Sequence, residues 1–174
     1  MSDSPPHRLP DQLRAGLRLV FVGTAASTVS ARVGHYYAHP GNRFWRTLHE
    51  VGITPRRYQP HEFGALLELG IGFTDLSKSA AGMDHQIDRH SFDVAGFRAR
   101  IEAWQPRTIA FTSKKAASLF YDRPTSTLSL GRQTSVDGFP AMFVLSSPSG
   151  AASGHWTLQP WRDLAEWIGR AQPG

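Results

Sequence analysis

At 174 residues the chain fits one domain with a single core and is too short for two comfortable ones. A hydrophobic share of 40% and a charged share of 19% exclude a disordered chain, and the absence of cysteine excludes disulfides, iron–sulfur clusters and thiolate zinc sites. The formal charge of +5 favours an anionic partner, of which nucleic acid is the commonest.

Met1 to Pro10 is polar and proline-rich and lacks the basic and apolar regions of a signal peptide. Residues 1–16 are expected to be an N-terminal tail, residues 17–171 a single domain, and the protein cytoplasmic, with no run long enough to cross a membrane. Leu17 to Val22 is a short apolar run of strand formers that Gly23 ends. A loop of small and aromatic residues follows through Gly41. From Asn42 the pattern turns helical, with Phe44, Leu48 and Val51 at helical spacing and Gly52 as a stop. Glu62 to Leu69 reads as a helix and Gly70 to Thr74 as a short strand. Lys78 to Ser91, carrying His85, Asp88, Arg89 and His90, reads as an exposed loop. Phe92 to Trp104 is an amphipathic helix with Phe97, Ile101 and Trp104 on one stripe, broken at Gln105-Pro106. Thr108 to Thr112 is a buried-type strand and Lys114 to Tyr121 a helix. Pro124 to Thr134 is loop or weak strand, and Asp137-Gly138 turns the chain into the strand Ala141 to Leu145. After a Ser/Gly/Ala loop, Leu158 to Ile168 closes the chain as a helix.

Strands alternating with helices predict a layered α/β domain with a central, mainly parallel sheet. Ligands of such sheets bind at loops leaving the carboxyl ends of strands. Gly23 to Pro40 and Ser146 to Trp156 qualify by composition.

In the first of these, Gly23-Thr24-Ala25-Ala26-Ser27 would let backbone N–H groups approach a planar ligand, although small residues after a strand are also ordinary turn chemistry. It lacks the Gly-Lys-Ser/Thr ending of a phosphate loop. Tyr36-Tyr37 could stack a base. Asn42, the only asparagine in the chain, could pair with an amide-like edge or cap the helix it opens, and both roles can coexist. Phe44 and Trp45 read as core, and His39 as a packed loop residue. The second loop, Ser146-Ser147-Pro148-Ser149-Gly150-Ala151-Ala152-Ser153-Gly154-His155, suits gripping a phosphate backbone, or is a plain surface loop. Asp75, at a strand's carboxyl end, stands where catalytic groups stand in α/β sheets; a helix cap or surface ion pair is the even alternative. No Ser-His-Asp set has nucleophile-elbow spacing, and the histidine pairs lack supporting metal ligands, so no metal or other cofactor is expected.

Taken in order, these pieces resemble the mismatch-specific uracil- and thymine-DNA glycosylases. Ala38-His39-Pro40-Gly41-Asn42-Arg43-Phe44-Trp45 is close to that branch's Ala-His-Pro-x-Asn-Arg-Phe-Trp, and Ser147-Pro148-Ser149-Gly150 is similar to its Asn-Pro-Ser-Gly loop. Gly72-Phe73-Thr74-Asp75-Leu76 and Lys114-Lys115-Ala116 fall between them at the expected places, and the similarity covers Leu17 to Trp167. Two departures matter. The branch's first motif, Gly-x-Asn-Pro-Gly, positions the attacking water with its Asn, where this chain has Ala25. Ser147 replaces the leading Asn of the second motif, and Ala151 stands at the wedge position that is Leu in the branch. Alanine at the first position also occurs in an iron–sulfur branch, but a chain without cysteine cannot bind that cluster.

The resemblance implies an enzyme that flips uracil from DNA into a pocket and hydrolyses its N-glycosidic bond, and nothing in the sequence suggests more than a monomer. It implies base stacking by Tyr37, backbone amides near Thr24 and Ala25 at a uracil oxygen, and Asn42 shaping the pocket. Asp75 is the first candidate to position water or stabilise the sugar cation, with His39 and His155 next. Ser147, Ser149, Gly150, Ser153 and His155 are expected at DNA phosphates or the emptied base position. No lysine is placed as an amine nucleophile, so no strand-cleaving step is expected. A catalytically inactive uracil- or lesion-binding module is the alternative, favoured by the lost Asn; a nucleotide-binding domain unrelated to DNA is a third reading.

Overall fold

The structure, a computed structural model, describes residues 11–25, 28–77 and 93–171. β1 (Leu19–Gly23) is five consecutive buried residues. A run without polar alternation suits a strand covered on both faces, the condition at the middle of a parallel sheet. β1 pairs in parallel with β2 (Ile71–Asp75) on one side and with β3 (Thr108–Phe111) on the other. β5 (Ala141–Val144) joins β3 in parallel, and the two-residue β4 (Gly131–Arg132) closes that edge antiparallel. The strand order is β2-β1-β3-β5-β4.

Alternation along β1 divides the core in two. Leu19 and Phe21 face a layer formed by Phe44, Trp45 and Leu48 of α2 (Phe44–Glu50) and by Trp161, Leu164 and Ile168 of α5 (Gln159–Ala171). Val20 and Val22 face Phe97 and Ile101 of α3 (Val94–Trp104) and Ala116, Ala117 and Phe120 of α4 (Lys114–Tyr121). The result is the expected three-layer α/β domain with a mainly parallel sheet. Phe21 lies at the centre of its layer, edge-on to Phe44 at 4.9 Å and stacked at 6.1 Å on both Phe73 and Trp161. Burying each such ring contributes about 1.5–3 kcal/mol.

Several elements differ from the sequence expectations. The loop after β1 contains a short helix, α1 (Thr28–Val33), whose six residues are too few to display a periodic apolar stripe. The helix expected from Glu62 is a 3-10 helix that starts earlier, at Pro60. Gln59 and Glu62 form a reciprocal capping box there, and Gly70 ends it in the left-handed region at φ 80°. The hydrogen bond from Arg56, then that from the Gln59 N–H, hold the Glu62 carboxyl down to about 2. Asp93 caps α3 through Gly96 N–H, two residues past the expected start, and Trp104 is 40% exposed because the buried stripe runs out at the left-handed turn of Gln105.

The tail expected over residues 1–16 is corrected from residue 11 onward. Gln12 exchanges two backbone hydrogen bonds of 3.0 Å with Phe73, and Gly16 N–H donates to the Trp104 carbonyl at 3.0 Å. These bonds cover the outer edge of β2, which strand order alone would leave open. Residues 1–10 lie outside the described residues, as does the loop expected over 78–91 with His85, Asp88, Arg89 and His90.

Candidate active site

With β1 between β2 and β3, the chain leaves the sheet in opposite directions from β1 and β3, and the crevice of the fold opens at their carboxyl ends. Gly23, Asp75 and Thr112 stand at the ends of β1, β2 and β3. Gly23 and Asp75 are direct register partners. A Cβ on Gly23 would lie 2.6 Å from Asp75 Oδ1, 3.3 Å from the Tyr37 hydroxyl and 3.7 Å from Thr112 Oγ1. Three oxygen-bearing side chains thus converge where the glycine has no side chain. Asp75 is 4% exposed, and its backbone carbonyl accepts from Arg100 Nη2 at 3.0 Å.

Tyr37 adopts φ 53°, a conformation rare for a residue with a side chain. Its ring stacks on Phe44 at 4.1 Å and 17°, and its hydroxyl shares a 3.1 Å hydrogen bond with Thr112 Oγ1. Phe44 therefore fixes one ring face and Thr112 the ring's tip. Burial, then the charge of Asp75, pushes the Tyr37 phenol well above its ordinary range, so it stays a neutral hydroxyl. Tyr36, expected as a second stacking candidate, is instead core: it is 2% exposed, stacks on Phe73 at 5.0 Å and gives its carbonyl to Trp45 Nε1. Its phenol is pushed up for the same two reasons in the same order.

The carbonyls of Gly23 and Thr24 accept from Leu76 N–H at 2.9 Å and Ser77 N–H at 2.7 Å, tying the start of the first loop to the chain leaving β2. Ala25 is half-buried beside them, while Ala26 and Ser27 lie outside the described residues. Asn42 precedes the N-cap residue Arg43, and its Oδ1 accepts from Phe44 N–H, the first of α2, at 2.9 Å. That bond ties the Asn42 side chain to the start of α2. His39 is exposed and its Nδ1 accepts from Gly41 N–H at 2.9 Å. The imidazole is thereby held in a tight turn against Gly41, whose backbone packs on Gly150 of the second loop.

The second loop holds two short 3-10 turns over Gly150–His155, kinked at Ala152 (φ −102°, ψ 20°), where sequence composition predicts irregular chain. Its hydroxyls build it. Ser147 Oγ accepts from Ser149 N–H, Ser149 Oγ from Ala151 N–H, and Ser153 Oγ donates to the Gly150 carbonyl at 2.7 Å. Gly150, Ala151, Ser153 and His155 are exposed at its tip. The two loops are joined through Arg43, to which the sequence reading assigns no role. Arg43 N–H donates to the Pro148 carbonyl at 2.8 Å, Arg43 Nη2 donates to Ser153 Oγ at 3.0 Å, and the guanidinium lies 5.3 Å from the Trp156 ring centre. Gly41 and Gly150 also pack backbone to backbone, since a Cβ on Gly150 would lie 3.1 Å from the Gly41 carbonyl oxygen.

A depression of about 290 Å³ lined by Glu102, Pro106, Phe139 and Pro140 lies at the amino ends of β3 and β5, the end of the sheet away from this cluster. Among the described residues no group of three or more His, Asp or Glu side chains is gathered for a metal ion.

The sequence profile of the uracil DNA glycosylase superfamily matches residues 10–165. The chain belongs to that superfamily. Its fold is also similar to the solution structure of a Methanosarcina acetivorans protein provisionally assigned as a uracil DNA glycosylase. The TM-score is 0.64 at 22% identity, over 92% of this chain and 96% of the other, which is a likeness of fold. Within this uracil DNA glycosylase domain, residues 10–16 fall inside the profile, in agreement with the docking of residues 11–16 on β2 and α3. The structure brings Tyr37 and Asp75 together at Gly23 and adds Thr112 to them; it sets His39, Ser149, Gly150 and Ser153 along the joined loops, and His155 at the second loop's end. Thr112 and Arg100 carry no local motif, and only the end of a predicted strand and a helix face mark their positions.

Proposed function

We propose that this chain is a monofunctional DNA glycosylase of the mismatch-specific branch, which hydrolyses the N-glycosidic bond of uracil in DNA and leaves an abasic site. The observation that carries the reading is the buried Asp75 carboxylate against Gly23 at the crevice, next to an aromatic ring fixed by Phe44 and Thr112. Uracil within a duplex is out of reach, so the nucleotide is turned out of the stack at a cost of a few kcal/mol. The ring of Tyr37 stacks the base, and backbone amides near Thr24 and Ala25 face a uracil oxygen, where negative charge grows as the bond breaks. Positive charge grows on the sugar at the same time. Asp75 stabilises that charge and orients the attacking water, a task for which Ala25 has no side-chain polar atom. The tip of the second loop, Gly150 to His155, follows the phosphate backbone.

The test is incubation with uracil-containing oligonucleotides, with and without chelator, followed by alkali. Excision that survives the chelator, with strand breaks only after alkali, is the expected result. Asp75→Asn and Asp75→Ala should be slow in single-turnover excision yet bind uracil-DNA nearly as the parent does, because a group acting in the transition state lowers rate more than affinity. Parent-like rates in both folded variants would pass the role to His39, His155 or backbone groups. Ala25 favours one second reading, an inactive module that binds uracil or lesions in DNA. Tight binding with no single-turnover cleavage is its signature.

A further inference from the structure

We infer that Arg100 and Asp11 are positioning residues that lock the carboxyl end of β2 and thereby fix the direction of the Asp75 side chain. The inference rests on the catalytic reading of Asp75 given above. β2 is the outermost strand on its side of the sheet, and Asp75 is its last residue. Strand ends at a sheet edge fray, so a reacting group there needs fixing from outside the ladder. The last three residues of β2 are each held by a group from outside the β1–β2 ladder. Phe73 exchanges backbone hydrogen bonds with Gln12, the Thr74 hydroxyl donates to Asp11 Oδ1 at 2.7 Å, and the Asp75 carbonyl accepts from Arg100 Nη2 at 3.0 Å. Arg100 Nε lies 3.2 Å from Asp11 Oδ2, an ion pair by distance whose N–H is not aimed along a hydrogen-bond line. That pair closes the three contacts into one network joining the N-terminal segment, β2 and α3.

Arg100 meets the backbone of Asp75 rather than the cluster at Gly23, so its action passes through the strand end. Both partners of the ion pair are about one-fifth exposed, which leaves their charges only partly screened. Among the described residues, Tyr36 and Tyr37 from the loop between α1 and α2 feel the Asp75 charge, Arg100 from α3 binds the Asp75 backbone carbonyl, and Asp11 from the N-terminal segment meets Arg100 and Thr74. The tyrosines are held neutral, so the two charges act with opposite sign. A positive charge at the strand end favours an ionised carboxylate and a negative charge opposes it.

The test is a ¹³C NMR titration of the Asp75 carboxyl in the full chain, assigned with Asp75→Asn, in the parent, Arg100→Gln and Asp11→Asn. Arg100→Gln should raise the midpoint by about half a pH unit or more, and Asp11→Asn should lower it. Shifts of opposite sign are not produced by a general loosening of the fold. Single-turnover excision supplies the second readout. Arg100→Met, lacking charge and donor, should be slowed about tenfold or more, with uracil-DNA affinity changed less than twofold. Arg100→Gln, which keeps a donor for the Asp75 carbonyl, should recover part of that rate. If Arg100→Met does not fold, the other two variants carry the test. Midpoints that stay put or move the same way in Arg100→Gln and Asp11→Asn overturn the inference. A parent that excises nothing, or Asp75→Asn at the parent rate, overturns instead the catalytic reading of Asp75, while the titration still decides whether the network holds the carboxylate.

Discussion

A methyl group on Gly23 would meet Asp75 Oδ1 at 2.6 Å and the Tyr37 hydroxyl at 3.3 Å. The first distance is far inside van der Waals contact, so one of the two groups must move. Gly23 lies outside the left-handed region, and alanine there meets no backbone penalty. Its effect is confined to crowding at the crevice. Gly23→Ala is therefore expected to lower stability by about 1–3 kcal/mol, the usual cost of an added group in a packed site. Excision should fall much further, by about a hundredfold, because an ångström of displacement at a reacting group costs that much. Urea denaturation and single-turnover excision check the two parts. A variant as active as the parent would show that the Asp75 carboxylate can leave its place beside Gly23 without consequence. Burial first, and the neighbouring Asp75 charge second, keep the phenol of Tyr37 a neutral hydroxyl.

At the scale of elements, the strands were legible because burial on both faces demands continuous apolar runs, and Leu17 to Val22, Thr108 to Thr112 and Ala141 to Leu145 have them. α1 and the turns over Gly150–His155 were hidden because such short segments, the second held by serine hydroxyls, carry no apolar period, and Pro60–Leu69 was read as helix without its 3-10 type. At the candidate site, the sequence marked residues where a motif runs along the chain, as at Asn42 and Ser149. The site was not legible where Thr112, Arg100 and Asp11 meet β1 and β2 through space, from sequence distances a single chain does not reveal. Arg43 is an intermediate case, quoted within a motif but silent about its partner across the crevice. Its guanidinium is the side-chain link between the loop that opens α2 and the loop that would follow DNA. Arg43→Ala removes the bond to Ser153 and the contact with Trp156 while leaving the backbone bond to Pro148. The expected cost is about 1–2 kcal/mol in stability, with a larger change in DNA affinity than in the saturated single-turnover rate. Fluorescence anisotropy with uracil-containing duplex checks it; an unchanged affinity would mean that the second loop keeps its shape without the link.

Across the whole molecule the charge is +5, and its placement matters more than its size. α4 starts two residues beyond Thr112 and α2 two residues beyond Asn42, so Lys114, Lys115 and Arg46 stand in the first turns of helices that begin at the crevice and its adjoining loop. Lys115 and Arg46 are exposed and Lys114 half-buried. Phosphates bound along this rim would displace counterions, and the logarithm of affinity then falls with the logarithm of salt at about −0.9 per phosphate neutralised. With about four contacts, affinity for uracil-containing duplex should drop about a hundredfold between 50 and 200 mM salt. The double variant Lys114→Ala with Lys115→Ala should reduce that slope by about 1–2 and weaken uracil-free DNA as much as uracil-DNA, because phosphate contacts carry no base information. The chemical rate at saturating enzyme should hardly change, since neither lysine is among the groups at Gly23. A flat salt dependence in the parent would remove the phosphate-gripping rim. A parent-like slope in the double variant would move the rim away from α4, toward α2 and the tip of the second loop.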